Sequence, residues 1–239
     1  MKHFCNIVLS CMSTALALTS CSHQYSIKGD VTNDMARGQM LYLSVSNDMQ
    51  TICHIDSCQI VHGRFNIMGE TDSVILARLY VDREMLMPLV LEGGDMNVKI
   101  DYYSKTVQGG ELNALLNDYF LKMSELQTKW ETIYDRRIQL YMSGDLKPHI
   151  HAELEAQESN IRQLMEHSET EFIKQNYTNA IGPGMFHLLT ERMPLPLLTP
   201  QIVDILNNAP QEFLNAPFVS YFIRVTGYKQ HEKQQQQDK

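Results

Sequence analysis

The chain of 239 residues has a single tryptophan, five cysteines and none of the short motifs that announce catalysis. No His-Glu-x-x-His occurs, so the usual helical zinc-hydrolase site is excluded. No Gly-x-Ser-x-Gly occurs, which removes the nucleophile elbow of serine hydrolases. Gly-x-Gly-x-x-Gly is missing too, and with it the dinucleotide fingerprint. No Cys-x-x-Cys occurs, so the thiol pair of a thioredoxin-type active site is missing. Basic runs are absent and the formal charge is −8, which argues against a nucleic-acid partner, because phosphates are neutralised by clustered Lys and Arg. Beyond the first 20 residues there is no long apolar run, so no later segment is expected to span a bilayer.

What is present begins at the N-terminus. Lys2 supplies a positive start, Phe4–Leu18 is mostly apolar, and Thr19-Ser20 are small. These are the three parts of a secretory signal. Asn6, Ser10 and Ser13-Thr14 interrupt the apolar run, which is too short for a stable membrane span of about 20 residues. Leu18-Thr19-Ser20-Cys21 resembles the lipobox of a bacterial lipoprotein. The resemblance implies removal of residues 1–20, lipidation of Cys21 and acylation of its new amine. Each buried methylene of an acyl chain contributes about 0.8 kcal/mol, so two or more chains hold a protein firmly. Loss of Lys2 leaves 19 basic against 28 acidic residues, a net −9. No acidic cluster follows Cys21 of the kind that accompanies surface export in Bacteroidetes-type lipoproteins. The expectation is therefore a lipid-anchored envelope protein facing the periplasm, with the membrane as its first partner.

Residues 21–108 read as an antiparallel β domain. Leu41, Leu43 and Val45 alternate within Met40–Ser46, and Phe65 and Ile67 share a face. Ile75, Ala77, Leu79 and Val81 lie on one side of Val74–Val81, with Arg78 on the other. Met96, Val98, Ile100 and Tyr102 alternate with polar residues, and Tyr25–Val31 is a further short strand. Period two over several short runs is the mark of half-buried strands. His62-Gly63 and Gly93-Gly94 fall between such runs and read as tight hairpin turns. About seven strands so spaced predict a sandwich or open barrel.

An ordered set of motifs runs through this region. It comprises Ile55-Asp56-Ser57, Val61-His62-Gly63-Arg64-Phe65, Leu91-Glu92-Gly93-Gly94-Asp95 and Val107-Gln108-Gly109 leading to Leu112-Asn113. The set resembles a β domain of unknown function from Bacteroidetes lipoproteins, which typically precedes thioredoxin-like oxidoreductase domains of the TlpA/ResA kind. The resemblance covers roughly residues 24–125 and brings no catalytic residues with it. It implies either a stand-alone lipoprotein without the thioredoxin domain, or an accessory part working with a separate thioredoxin-like partner.

Residues 109–228 read as helical, which makes the fold class α+β. Leu112, Leu116, Tyr119, Phe120, Met123, Leu126, Trp130, Ile133 and Tyr141 recur at three- and four-residue steps, predicting a helix from about Glu111 to Met142 stopped by Ser143-Gly144. A second helix is expected after Pro148, with Leu154, Ile161, Met165, Phe172 and Ile173 on one face until Asn179. The short connection predicts a long antiparallel hairpin. Gly182-Pro183-Gly184 is read as a break, and Pro194, Pro196, Pro200, Pro210 and Pro217 as starts of short helices. The polar tail 229–239, with four consecutive glutamines, is expected to be disordered.

Few residues invite chemistry. Cys5 and Cys11 leave with the leader and Cys21 carries lipid, so Cys53 and Cys58 remain. On a straight strand they would stand about 16 Å apart, whereas bonded cysteines need Cα atoms within about 7 Å. A structural disulfide would require a sharp bend at Asp56-Ser57, and two separate, partly buried thiols are the alternative. His149-x-His151 sits at a helix start, where residues two apart point about 200° apart and chelate poorly. His54 and His62 flank a turn. Glu153, Glu155, Glu158, Glu166, Glu169 and Glu171 are expected on a solvated face. The 14 methionines, Met85-x-Met87 included, read as core filling, and Trp130, Tyr134 and Tyr141 as a packing stripe. With no catalytic constellation, no metal site and no cofactor motif, the expectation is a non-catalytic binding or interaction module.

Overall fold

A computed structural model describes residues 23–32, 38–46, 51–101 and 104–228. The expected leader 1–20, the expected lipidation residue Cys21, Tyr102 and the tail 229–239 lie outside the described residues. The chain is α+β: among the described residues two four-stranded sheets are followed by six helices.

The strands are β1 (His23–Val31), β2 (Met40–Ser46), β3 (Ile52–Gln59), β4 (Arg64–Thr71), β5 (Ile75–Val81), β6 (Glu84–Leu91), β7 (Gly94–Ile100) and β8 (Lys105–Gln108). One sheet has the order β4-β1-β7-β8 and the other β3-β2-β5-β6. Alternation works as expected between them. Ile27, Leu41, Leu43, Phe65, Ile67, Leu79, Leu89, Met96 and Val98 turn inward from both sheets into one shared core. Each such side chain contributes about 1.5–3 kcal/mol by leaving water. The arrangement is a sandwich. Gly29 opposes Phe65 across β1 and β4, and a Cβ on it would stand 2.2 Å from the Phe65 ring, so the glycine makes room for the aromatic.

Three expectations change. The sheets are not wholly antiparallel, because β1 and β7 run parallel, with Ile27 beside Met96. Parallel neighbours need a long crossover, and the whole of β2–β6 provides it. Gly93-Gly94 is not a hairpin: β6 and β7 belong to different sheets, and the two positive-φ glycines turn the chain from one sheet to the other. His62-Gly63 does form a two-residue turn, closed by reciprocal backbone bonds between Val61 and Arg64, but β3 and β4 beyond it also part into different sheets. The hairpin that the sequence hid is Asp82-Arg83, between β5 and β6, with Asp82 at φ 53°.

The helices are α1 (Glu111–Ser143), α2 (Pro148–Gln175), α3 (Ile181–Glu191), α4 (Pro200–Asn207), α5 (Gln211–Asn215) and α6 (Pro217–Thr226). Gly144, in the left-handed region at φ 77°, stops α1 where expected. Its 33 residues span about 50 Å at 1.5 Å each. Gly182-Pro183-Gly184 does not break the chain but opens α3. Pro183 sits in the first turn, where a missing N–H costs nothing. Pro194 and Pro196 start no helix, and 192–199 is an irregular connection.

Two features join helices to sheet. Glu92, at the corner after β6, accepts from the backbone N–H groups of Leu112 and Asn113 at 3.1 and 2.9 Å, capping α1 with a negative charge at its positive end. The fully buried Asn113 amide both accepts from Val90 N–H at 2.9 Å and donates to Val90 C=O at 2.8 Å. Beyond this joint the outer face of β5 and β6 is covered by helices, so both strands are buried on both faces rather than half-buried. Val90 and Leu76 belong to a second core built from Leu116, Tyr119, Ile173, Phe186, Ile202, Phe213 and Phe222.

Candidate binding cleft

The outer face of β5 presents Leu76, Arg78 and Tyr80 at two-residue spacing, about 6.6 Å apart. Helix α3 crosses it with one turn, about 5.4 Å, between contacts. The crossing is tight at Gly184, where a Cβ would lie 2.6 Å from Leu76 Cβ. That close approach seats the next turns of α3 over Arg78. The Arg78 guanidinium, 3% exposed, pairs with Glu191 at 2.5 Å and donates to the Tyr80 hydroxyl at 3.3 Å. The outward Arg78 of the sequence reading is therefore a buried cation, because helices cover the face that alternation assigns to solvent.

His187 lies on the same helix and is 2% exposed. Its ring stacks on Phe218 with centroids 4.2 Å apart and planes 6° apart, and neither ring nitrogen has a hydrogen-bond partner. Burial, and then the positive Arg78, push its pKa down to about 4, with Glu191 opposing. A second pair, Arg192 with Glu169 at 2.5 Å, ties the end of α3 to α2, and Gln201 donates to the other Glu169 oxygen at 3.3 Å.

Between these pairs and the top of the sheet opens a cleft of about 420 Å³. Ile52, Tyr80 and Met85 come from the sheet, Tyr119 from α1, and Met185 and Leu188 from α3. Its charged rim is Arg83, Glu169, Glu191 and Arg192. Burial pushes the Tyr119 phenol well above its usual pKa, with the Glu169 charge adding to the rise. The volume falls within the range of about 300–1,000 Å³ typical of small-molecule sites, which likewise combine apolar walls with a few polar groups.

Residues singled out in the sequence scatter around this cleft. Cys53 and Cys58 are free and half-buried near the ends of the extended β3, so the bend that a disulfide needs is not made. A register shift opposite Leu43/Ser44 lets both turn partly inward although they are five residues apart. His151 pairs with Glu155 at 3.3 Å, and among the described residues no three His, Cys, Asp or Glu side chains group as metal ligands. His54 packs at a tilt of 31° against Tyr42 and bonds Ser44 at 2.8 Å. That serine–histidine pair is not placed for nucleophilic attack, since Ser44 is fully buried. Met87 is core, as expected, while Met85 lines the cleft. Trp130 stacks on Tyr134 at 5.2 Å, but Tyr141 is 73% exposed. The solvated glutamate face is corrected at two positions: Glu158 and Glu169 are buried, each held by an arginine. Arg78, His187, Glu191 and Arg192 went unnoticed as a group. The one usable signal was a lone arginine within an apolar strand.

No helix among the described residues is long and apolar enough to cross a membrane. Residues 25–116 match the family model of a domain of unknown function, DUF4369. The match runs from β1 through all later strands and ends at Leu116, just past the Glu92–Asn113 joint. No curated protein and no solved structure matches the chain.

Proposed function

We propose that the chain is a lipid-anchored envelope protein that faces the periplasm and acts as a non-catalytic binding module through the sheet–helix cleft. The observation that carries this reading is the cleft itself. Its apolar walls come from two different layers of the fold, and its two carboxylates, Glu169 and Glu191, are each held by an arginine. The reading is further supported by the leader and Leu18-Thr19-Ser20-Cys21 pattern, and by β1 starting at His23, two residues after the lipidation site. Two residues span at most about 7 Å, so an acylated Cys21 would hold the sandwich directly against the bilayer.

Two measurements test it. Metabolic labelling with a clickable palmitate analogue should mark the wild-type chain and fail on Cys21→Ala, which should also leave the membrane fraction. Labelling that survives Cys21→Ala contradicts the anchor. The mature chain should show no insulin-disulfide reduction, and turnover above the uncatalysed rate contradicts the non-catalytic reading.

A further inference from the structure

Two guanidinium groups, Arg83 and Arg192, and two carboxylates, Glu169 and Glu191, line the cleft, and the buried Arg78 lies behind it. Arg78 is held by Glu191 and Arg192 by Glu169. Among the described residues, Arg83 is the cation of the cleft without an ion pair. It sits in the two-residue turn between β5 and β6, exposed, at the edge of apolar walls formed by Met85, Met185 and Leu188.

We infer that the cleft binds a small amphiphilic carboxylate, its apolar body against Met85, Met185 and Leu188 and its single negative charge at Arg83. This deepens the binding-module reading and rests on it. The chemistry selects each part of the ligand. The walls are apolar and flexible, and methionine adapts to varied apolar shapes. The guanidinium fork matches a carboxylate with two parallel hydrogen bonds. A cationic amphiphile would meet the Arg83 guanidinium while both carboxylates of the lining are already paired. A dianion would leave one charge without a partner, because the other two arginines are already paired.

The test is a titration of the mature chain, Ser22 to Lys239, labelled with ¹³C at the methionine methyls. Resonances of Met85 and Met185 are assigned from Met85→Leu and Met185→Leu. Decanoate, decanol and decyltrimethylammonium are added below micelle-forming concentrations. Decanoate should shift both methyls saturably and bind about tenfold more tightly than decanol, the value of a charge-assisted hydrogen bond. Decyltrimethylammonium should bind more weakly than decanol. Arg83→Ala should lower decanoate affinity to that of decanol and leave decanol unchanged. Arg83 is exposed and has no ion pair among the described residues, so its loss does not threaten folding. Equal affinity for decanoate and decanol, a preference that survives Arg83→Ala, or no shift at either methyl overturns the proposal. Acylation of Cys21 is read independently, so a failed titration with intact acylation removes the ligand and leaves the anchored module standing.

Discussion

Two of the polar junctions that fasten sheet to helix differ in kind. At the Glu92–Asn113 joint, the buried Asn113 amide is matched on both its oxygen and its nitrogen, and the carboxylate caps a helix. At the Arg78–His187–Glu191 junction, a cation is paired but a buried imidazole has no hydrogen-bond partner at all. The first is built to hold. The second carries an unsatisfied group, which costs stability in a well-packed interior. Its position beside an open cleft is where such a cost fits a binding role. The comparison also gives part of the motif set in the sequence an architectural reason. Glu92, Gly109 and Asn113 converge on one joint, where a Cβ on Gly109 would lie 2.1 Å from Asp95 O.

The largest effect should come from breaking the satisfied joint. Asn113→Ala strands the Val90 N–H in the core, leaves the Val90 C=O with the Glu92 N–H alone, and removes the amide's bond to the Gly109 C=O, at about 1–3 kcal/mol for each group left unpaired. A loss of about 3 kcal/mol, or roughly 6–12 °C in Tm, is expected by thermal unfolding of the mature chain. A shift under 1 °C would mean that the joint is not what holds α1 to the sheet.

Next is the pH response of the other junction. His187 stays neutral in the fold down to about 4, against 6.5 in the unfolded chain. As pH falls below 6.5 the unfolded state gains the proton first, so stability is complete above about pH 6.5, is lost towards about pH 4, and levels off below. The loss is on the order of 3 kcal/mol. His187→Phe keeps the stack on Phe218, removes both unpartnered nitrogens and should remove this part of the acid sensitivity. Urea unfolding at pH 7 and pH 4.5 measures it. An unchanged pH slope in His187→Phe assigns the sensitivity elsewhere.

A smaller effect should separate the helical arm from both junctions. Arg137 and Glu158 pair at 3.0 Å in the α1–α2 seam, with side chains 24% and 6% exposed. Glu158→Ala leaves a half-buried cation alone and should cost about 2 kcal/mol, below the fully buried range because Arg137 reaches water. Replacing both by leucine should restore stability, as apolar pairs often do. A double variant as unstable as the single one would make the pair a net source of stability. The smallest effect is at Arg83, whose removal should change Tm within the scatter of a surface substitution, about 0.5 kcal/mol either way.

What could be read from the sequence was what local rules determine. Leu41, Leu43 and Val45, or Met96, Val98 and Ile100, alternate because one face meets the sandwich core. Gly144 stops α1 because only a left-handed residue closes that turn. What could not be read depended on distant partners. Leu76, Arg78 and Tyr80 alternate like a half-exposed strand, and nothing nearby signals that α3 will cover them. The turn at Gly93-Gly94 has hairpin chemistry, yet the destination of β7 is set by β1, more than 60 residues earlier. Glu158 and Glu169 share one acidic helix with exposed Glu153 and Glu166, and only Arg137 and Arg192, on other helices, set them apart. The cleft was invisible for the same reason, since its walls come from β3, β5, β6, α1 and α3.

The most direct test of the cleft as the working surface is photocrosslinking in the living envelope. A photoreactive amino acid is placed at position 85, in the cleft, and separately at position 61, an exposed residue in the turn between β3 and β4. The mass of the intact, purified protein is then read. The expected result is a defined small-molecule adduct at position 85 that disappears with Arg83→Ala and is absent at position 61. Equal labelling at both positions, or a position-85 adduct indifferent to Arg83, would contradict the account.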